Sequence, residues 1–222
     1  MQLLLLLPMA FLLSPAAQAG EIIGGKEADP HSRPYMAYLQ RKEGTNYDGD
    51  CGGALIRDDV VITAAHCNIE VGDFYVLLGA HDVTKNEPEQ QRIRVRRSIR
   101  HPKYYLWTLK NDIALLQLEE KAWLTKAVRT IPLAHEAVEK GSVCSMSGWG
   151  GTRAEENSTF SPVLQESDSG GPLVCDGEAQ GILSFGHPVP PAIYTRVPYY
   201  LPWIEKTLRE LDPQSRVWQR PG

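Results

Sequence analysis

The sequence predicts an all-β protein of short antiparallel strands, a barrel or sandwich, with one helix near its end. Three observations carry that expectation. Short apolar runs rich in β-branched and aromatic residues recur along the chain. Gly, Pro, Asp or Asn bounds each of them, and one late segment has the 3.6-residue period of an amphipathic helix. The 19 glycines and 16 prolines among 222 residues suit many turns, and 42% hydrophobic with 23% charged residues excludes a disordered chain or a coiled coil.

Residues 3–13 are almost wholly apolar and lead into Ser14, Pro15 and the small-residue run Ala16-Ala17-Gln18-Ala19, an h-region followed by an A-x-A cleavage site. Only the initiator amine supplies positive charge ahead of the run, and the run is short for a bilayer span; residues 1–19 read as a removed signal peptide. No later stretch approaches the roughly 20 apolar residues of a spanning helix. The expected location is secreted, either extracellular or in a secretory granule.

Strand-like runs follow in order: Tyr35-Met36-Ala37-Tyr38-Leu39, Ala54-Leu55-Ile56, Val60-Val61-Ile62-Thr63, Phe74-Tyr75-Val76-Leu77-Leu78 and Ile113-Ala114-Leu115-Leu116-Gln117-Leu118. Two more come late, residues 180–185 and 192–197. Leu201, Ile204, Leu208 and Leu211 then fall on one helical face, with Glu205, Lys206, Arg209 and Glu210 between them. The polar tail, residues 212–222, is expected to fray.

Export places Cys51, Cys67, Cys144 and Cys175 in an oxidising compartment, where an even count favours disulfides. Several pairings are arithmetically open. Cys51 and Cys67 bracket a short apolar segment, so joining them closes a small loop worth about 3 kcal/mol in the chain-entropy account. Cys144 then pairs with Cys175. The absence of CxxC or HxxxH spacing argues against zinc, and no metal or cofactor is expected.

A net charge of −4 and a pI near 5.9 give no general reason to expect nucleic acid. The one basic run, residues 92–103, places Arg92, Arg94 and Arg96 on one strand face, a contact for a sulfated glycosaminoglycan; a solvated face is the plainer reading. Asn157-Ser158-Thr159 is a glycosylation sequon in a polar stretch.

The chemistry lies in three segments: Thr63-Ala64-Ala65-His66-Cys67, Asn111-Asp112-Ile113-Ala114-Leu115-Leu116 and Asp168-Ser169-Gly170-Gly171-Pro172. They hold a hydroxyl, an imidazole and a carboxylate. A serine is a poor nucleophile until an imidazole takes its proton, and the imidazole needs a carboxylate to fix its tautomer and stabilise its charged form.

With these segments the chain resembles the trypsin/chymotrypsin-like serine proteases, and among them the granule proteases of cytotoxic and mast cells: granzymes, chymases and cathepsin G. Ile22-Ile23-Gly24-Gly25, residues 30–38, Ser147-Gly148-Trp149-Gly150 and Pro202-Trp203-Ile204 carry the resemblance alongside the three segments. It implies two antiparallel β-barrels of the chymotrypsin type, residues 22–125 and 126–211, the latter including the C-terminal helix, with an active site in the cleft between them. His66 becomes the base then acid, Asp112 its orienter and Ser169 the nucleophile of an acyl-enzyme endopeptidase. Ser167 and Ser169 supply the oxyanion-hole N–H groups. Residues 20–21 correspond to an activation dipeptide removed by a dipeptidyl peptidase, after which the Ile22 ammonium pairs with Asp168. Ser184, Phe185 and Gly186 form the strand that pairs with a protein or peptide substrate. Ala192 lines the specificity pocket, where a small residue leaves room for large apolar side chains.

The chain departs from the pattern between Asp112 and Ser169, an interval shorter by roughly forty residues, the content of three or four strands with their turns. Residues 163–166 match the strand after the Ser-Gly-Trp-Gly segment, and Ser167 follows at once. The second barrel is therefore expected to be incomplete, with unpaired edges. Ser167 stands where the family has Gly, and loss of one oxyanion donor costs roughly 3 to 4 kcal/mol of transition-state stabilisation. The alternative to an active endopeptidase is a catalytically impaired homologue, a splice or truncated form that acts by binding or has no activity.

Overall fold

The computed structural model describes residues 26–67, 74–149, 161–166, 171–185 and 192–212. After a short β1 (Lys26–Glu27) come β2 (Met36–Glu43), β3 (Asn46–Arg57), β4 (Val60–Thr63), β5 (Phe74–Leu78), β6 (Gln91–Arg100) and β7 (Ala114–Leu118). Strands β2 to β7 close a barrel in the order β2-β3-β4-β7-β6-β5, shut by β5 pairing with β2 from Ala37↔Leu78 to Arg41↔Phe74.

β4 and β7 are buried along their whole length. Val61, Leu116 and Leu118 enter the barrel interior with Leu39, Leu55, Val76 and Leu78. Their neighbours Val60, Ile62 and Leu115 pack outward, against Ile182, Val197, Ile204 and Leu211. Both faces of these strands are covered, and this is why they read as unbroken apolar runs rather than alternating ones.

The second unit is a six-stranded sheet in the order β1-β9-β8-β10-β11-β12, built from β8 (Cys144–Gly148), β9 (Gln165–Glu166), β10 (Pro172–Cys175), β11 (Glu178–Phe185) and β12 (Ile193–Arg196). It is open: among the described residues β1 and β12 are edges. The units do not divide cleanly along the chain, because β1 joins the later sheet through Lys26↔Glu166 and Glu27↔Gln165.

The loss of chain content leaves a mark at β8. β9 and β10 flank it, both antiparallel to it and so parallel to each other. A crossover between parallel strands ordinarily takes about a dozen residues or more; here only residues 167–171 join Glu166 to Pro172. β9 ends opposite Ser147 and β10 begins beside Met146, so the link need only step over β8, about 10 Å at two strand spacings. Gly171 takes part in that step. A Cβ there would lie 2.0 Å from the Ser147 carbonyl oxygen, so no side chain fits.

α1 (Val197–Leu211) closes the fold. Ile204 and Leu211 are buried, Leu201 and Leu208 pack partly buried beside them, and Arg57 Nη1 donates to the Leu208 carbonyl at 3.1 Å, tying the last turn to the barrel. Disulfides join Cys51 to Cys67 and Cys144 to Cys175, the latter pair directly opposite across β8 and β10. No helix among the described residues is long and apolar enough to cross a membrane.

The basic strand β6 does not alternate throughout. A bulge between Val95 and Arg97 shifts the register, leaving Arg96 and Arg97 exposed side by side. Arg92 also packs over the Tyr47 ring, 4.2 Å from its centroid, and donates to Gln40 Oε1 at 3.0 Å.

Candidate active site

His66 sits in a 3₁₀ turn, Ala65–Cys67, directly after β4. Asp112 lies just before β7, the strand paired with β4, so the barrel ladder brings the two together. The turn into Asp112 uses two left-handed residues, Leu109 (φ 50°) and Asn111 (φ 56°). Asn111 is held there by donating from Nδ2 to the Lys103 carbonyl at 2.7 Å and accepting from the Tyr200 hydroxyl at 3.1 Å.

The Asp112 side chain is fully buried and accepts three hydrogen bonds. The His66 backbone N–H donates to Oδ1 at 2.8 Å; His66 Nδ1 and Ser184 Oγ reach Oδ2 at 2.7 and 2.6 Å. Thr195 Oγ1 donates to its carbonyl at 2.8 Å. Burial pushes the carboxyl pKa up, but the bonds from His66 and Ser184 outweigh it and hold the group below its ordinary 3.8. An ionised carboxylate only accepts, so Nδ1 carries the imidazole proton and Nε2 of the neutral ring presents a lone pair. The imidazole is about one-third exposed. Beside it opens a cleft of about 470 Å³ lined by Arg41, Glu43, Asp48 and Phe74.

Ser184, expected only as backbone that meets substrate, thus braces the carboxylate with its side chain. Phe185 is largely exposed at the end of β11, and Ala192 is half-buried just before β12. Ile22, Asn157, Ser167, Asp168, Ser169 and Gly186 lie outside the described residues. Cys51, His66 and Cys67 form the one metal-type cluster among the described residues, but both sulfurs are consumed by the disulfide, so the set offers no thiolate.

A closed antiparallel barrel joined to a second β-sheet, a terminal helix, and an imidazole held by a buried carboxylate at their junction define a class of hydrolase. The Trypsin family model matches residues 22–167 and 163–204, and the chain belongs to this family of serine-type endopeptidases. Among curated proteins it is 44% identical to mast cell protease 3 of Ovis aries, covering 96% of this chain and 99% of that one. It is 41% identical to cathepsin G of Homo sapiens (92% and 94%) and 42% identical to human granzyme H (93% and 98%). The solved structure of granzyme C matches with a TM-score of 0.74 at 36% identity, over 84% of this chain and 99% of that chain.

The comparisons also locate the shortening. The alignment with the sheep protease runs over 254 positions against 222 residues here, so at least 32 positions of that relative have no counterpart. The two matched pieces of the family model meet at residues 163–167, immediately before Ser169.

Proposed function

We propose that the chain hydrolyses peptide bonds through an acyl-enzyme. Ser169 Oγ attacks the scissile carbonyl carbon while His66 Nε2 takes its proton. The collapsing intermediate breaks the C–N bond, and His66 returns the proton to the departing amine. Water then repeats the sequence on the acyl-enzyme. One observation carries this reading: the His66–Asp112 pair at 2.7 Å, its carboxylate buried and braced by Ser184, its imidazole partly exposed and poised with Nε2 as base. In the same reading Ser167 and Ser169 donate the oxyanion N–H groups, and Ala192 admits large apolar side chains in a chymotrypsin-like preference. A dipeptidyl peptidase removes residues 20–21 so that Ile22 can pair with Asp168. The protein is exported, to the extracellular space or a granule, and carries glycan at Asn157.

A catalytically impaired homologue is the second reading, favoured by the five-residue crossover between β9 and β10, in the middle of which Ser169 falls. Labelling decides between them. After removal of residues 20–21, a fluorophosphonate probe is expected to label the chain covalently and to fail on Ser169→Ala. A folded, soluble, unlabelled wild-type chain would establish the impaired form.

The exposed arginines of β6 support binding to sulfated glycosaminoglycan. Retention on heparin is expected to weaken with salt, and Arg94→Ala with Arg96→Ala should elute at clearly lower salt. Identical elution of the double variant rejects β6 as the contact.

A further inference from the structure

We propose that the free edge of β12 and the hollow beside it bind an extended acidic segment of a partner protein by strand addition, one aromatic or large aliphatic side chain filling the hollow. The site goes beyond the catalytic reading and does not depend on it.

β12 pairs with β11 from Gly181↔Arg196 to Phe185↔Ile193 and has no strand on its other side among the described residues. Along a strand, alternate residues turn N–H and C=O to the same side, so half of this four-residue strand presents backbone groups outward that have no partner among the described residues. A hollow of about 390 Å³ adjoins it, lined by Leu109, Lys110, Ile193, Arg196, Tyr199 and Tyr200. Ile193 is 55% and Tyr199 75% exposed, large apolar surface next to an open backbone edge. Those two properties together are what strand addition uses: main-chain bonds for affinity and a pocket for an alternate side chain.

Charge selects the occupant. The charged groups lining the hollow, Lys110 and Arg196, are both cations, both exposed, and neither forms an ion pair with a described residue. A second copy of this chain would present the same patch to itself, setting cations against cations. A segment with acidic residues flanking an aromatic one complements both. The hollow is also lined by Ser184, which braces the Asp112 carboxylate, and Phe185 pairs with Ile193 of β12, so the edge adjoins the end of β11, where substrate is expected to pair.

The test uses the full chain carrying Ser169→Ala, so that no probe is hydrolysed. Fluorescein-labelled Asp-Thr-Phe-Thr-Glu is titrated by polarisation, beside Lys-Thr-Phe-Thr-Lys and an acidic peptide with every backbone nitrogen methylated. Saturable binding of the acidic peptide is expected, about fivefold weaker with Arg196→Glu and with Lys110→Glu, and abolished by methylation. Both substitutions are at exposed side chains, and thermal melts check that each variant is folded. No binding, equal binding of the basic peptide, tolerance of methylation, or unchanged affinity in both folded variants overturns the proposal. A dimer in sedimentation that the peptide does not dissociate overturns it as well, assigning the edge to a second copy.

Discussion

Replacing Asp112 with asparagine is expected to lower kcat/KM on a peptide substrate, and the rate of fluorophosphonate labelling, by roughly 10⁴-fold. Asparagine fills the same space, so the cause is tautomeric. The carboxylate accepts from Nδ1 at 2.7 Å and from the Ser184 hydroxyl at Oδ2, and from the His66 N–H at Oδ1. An amide nitrogen turned toward Nδ1 would donate, drive the imidazole proton to Nε2 and remove the lone pair that receives the Ser169 proton in the proposed reaction. The same variant has a second signature. The Asp112 pKa is depressed in the folded state, so its stabilisation is complete above the ordinary value of 3.8 and is lost as pH falls through the folded-state value. Melting profiles of wild type and variant should therefore differ at neutral pH and converge below about pH 4. Parallel profiles down to the lowest pH would show that the carboxylate is not held ionised by its partners.

Removing the Cys144–Cys175 disulfide, by Cys144→Ser with Cys175→Ser, is expected to cost about 3.5 kcal/mol of unfolding free energy by equilibrium denaturation. The bridge closes 31 residues, against 16 for Cys51–Cys67, and so restrains more of the unfolded chain. It also ties β8 to β10, and β10 is the strand entered directly after Ser169. Loss of stability should therefore come with slower fluorophosphonate labelling. Equal costs for the two bridges, or a negligible cost for this one, would show that β8 and β10 are held by their ladder alone.

Much of the barrel was legible because its strands bury what their sequence displays. Phe74–Leu78 forms as read, and Ile113 to Leu118 differs only by one residue at its start. The first half of β3, from Asn46, was not legible: it is polar and glycine-interrupted, and becomes a strand because the hairpin with β2 supplies its hydrogen bonds, down to Glu43↔Asn46. β8, with the sequence CSMSG, is similarly inconspicuous, yet it lies inside the second sheet between β9 and β10. At the site, His66 and Asp112 announce themselves through their flanking residues. Ser184 does not, since a serine between Leu183 and Phe185 acquires its part only from a carboxylate 72 residues away. The bulge in β6 was equally hidden, because alternation in a run of arginines says nothing about where the partner strand slips.

The link between β9 and β10 explains how a chain can lose so much and still build the rest. Its two ends leave and rejoin the sheet at nearly the same height on β8, beside Ser147 and Met146. A short link between such points keeps the frame of pairing: β8 has both neighbours, β10 pairs with it in register, and β11, β12 and α1 follow, with β12 an open edge among the described residues. A cut whose ends lay at different heights would have slid every later strand along its partner and turned buried side chains outward. The shortening thus falls on the link that carries Ser169, which makes that link the part of the molecule to lengthen when testing the proposed reactivity.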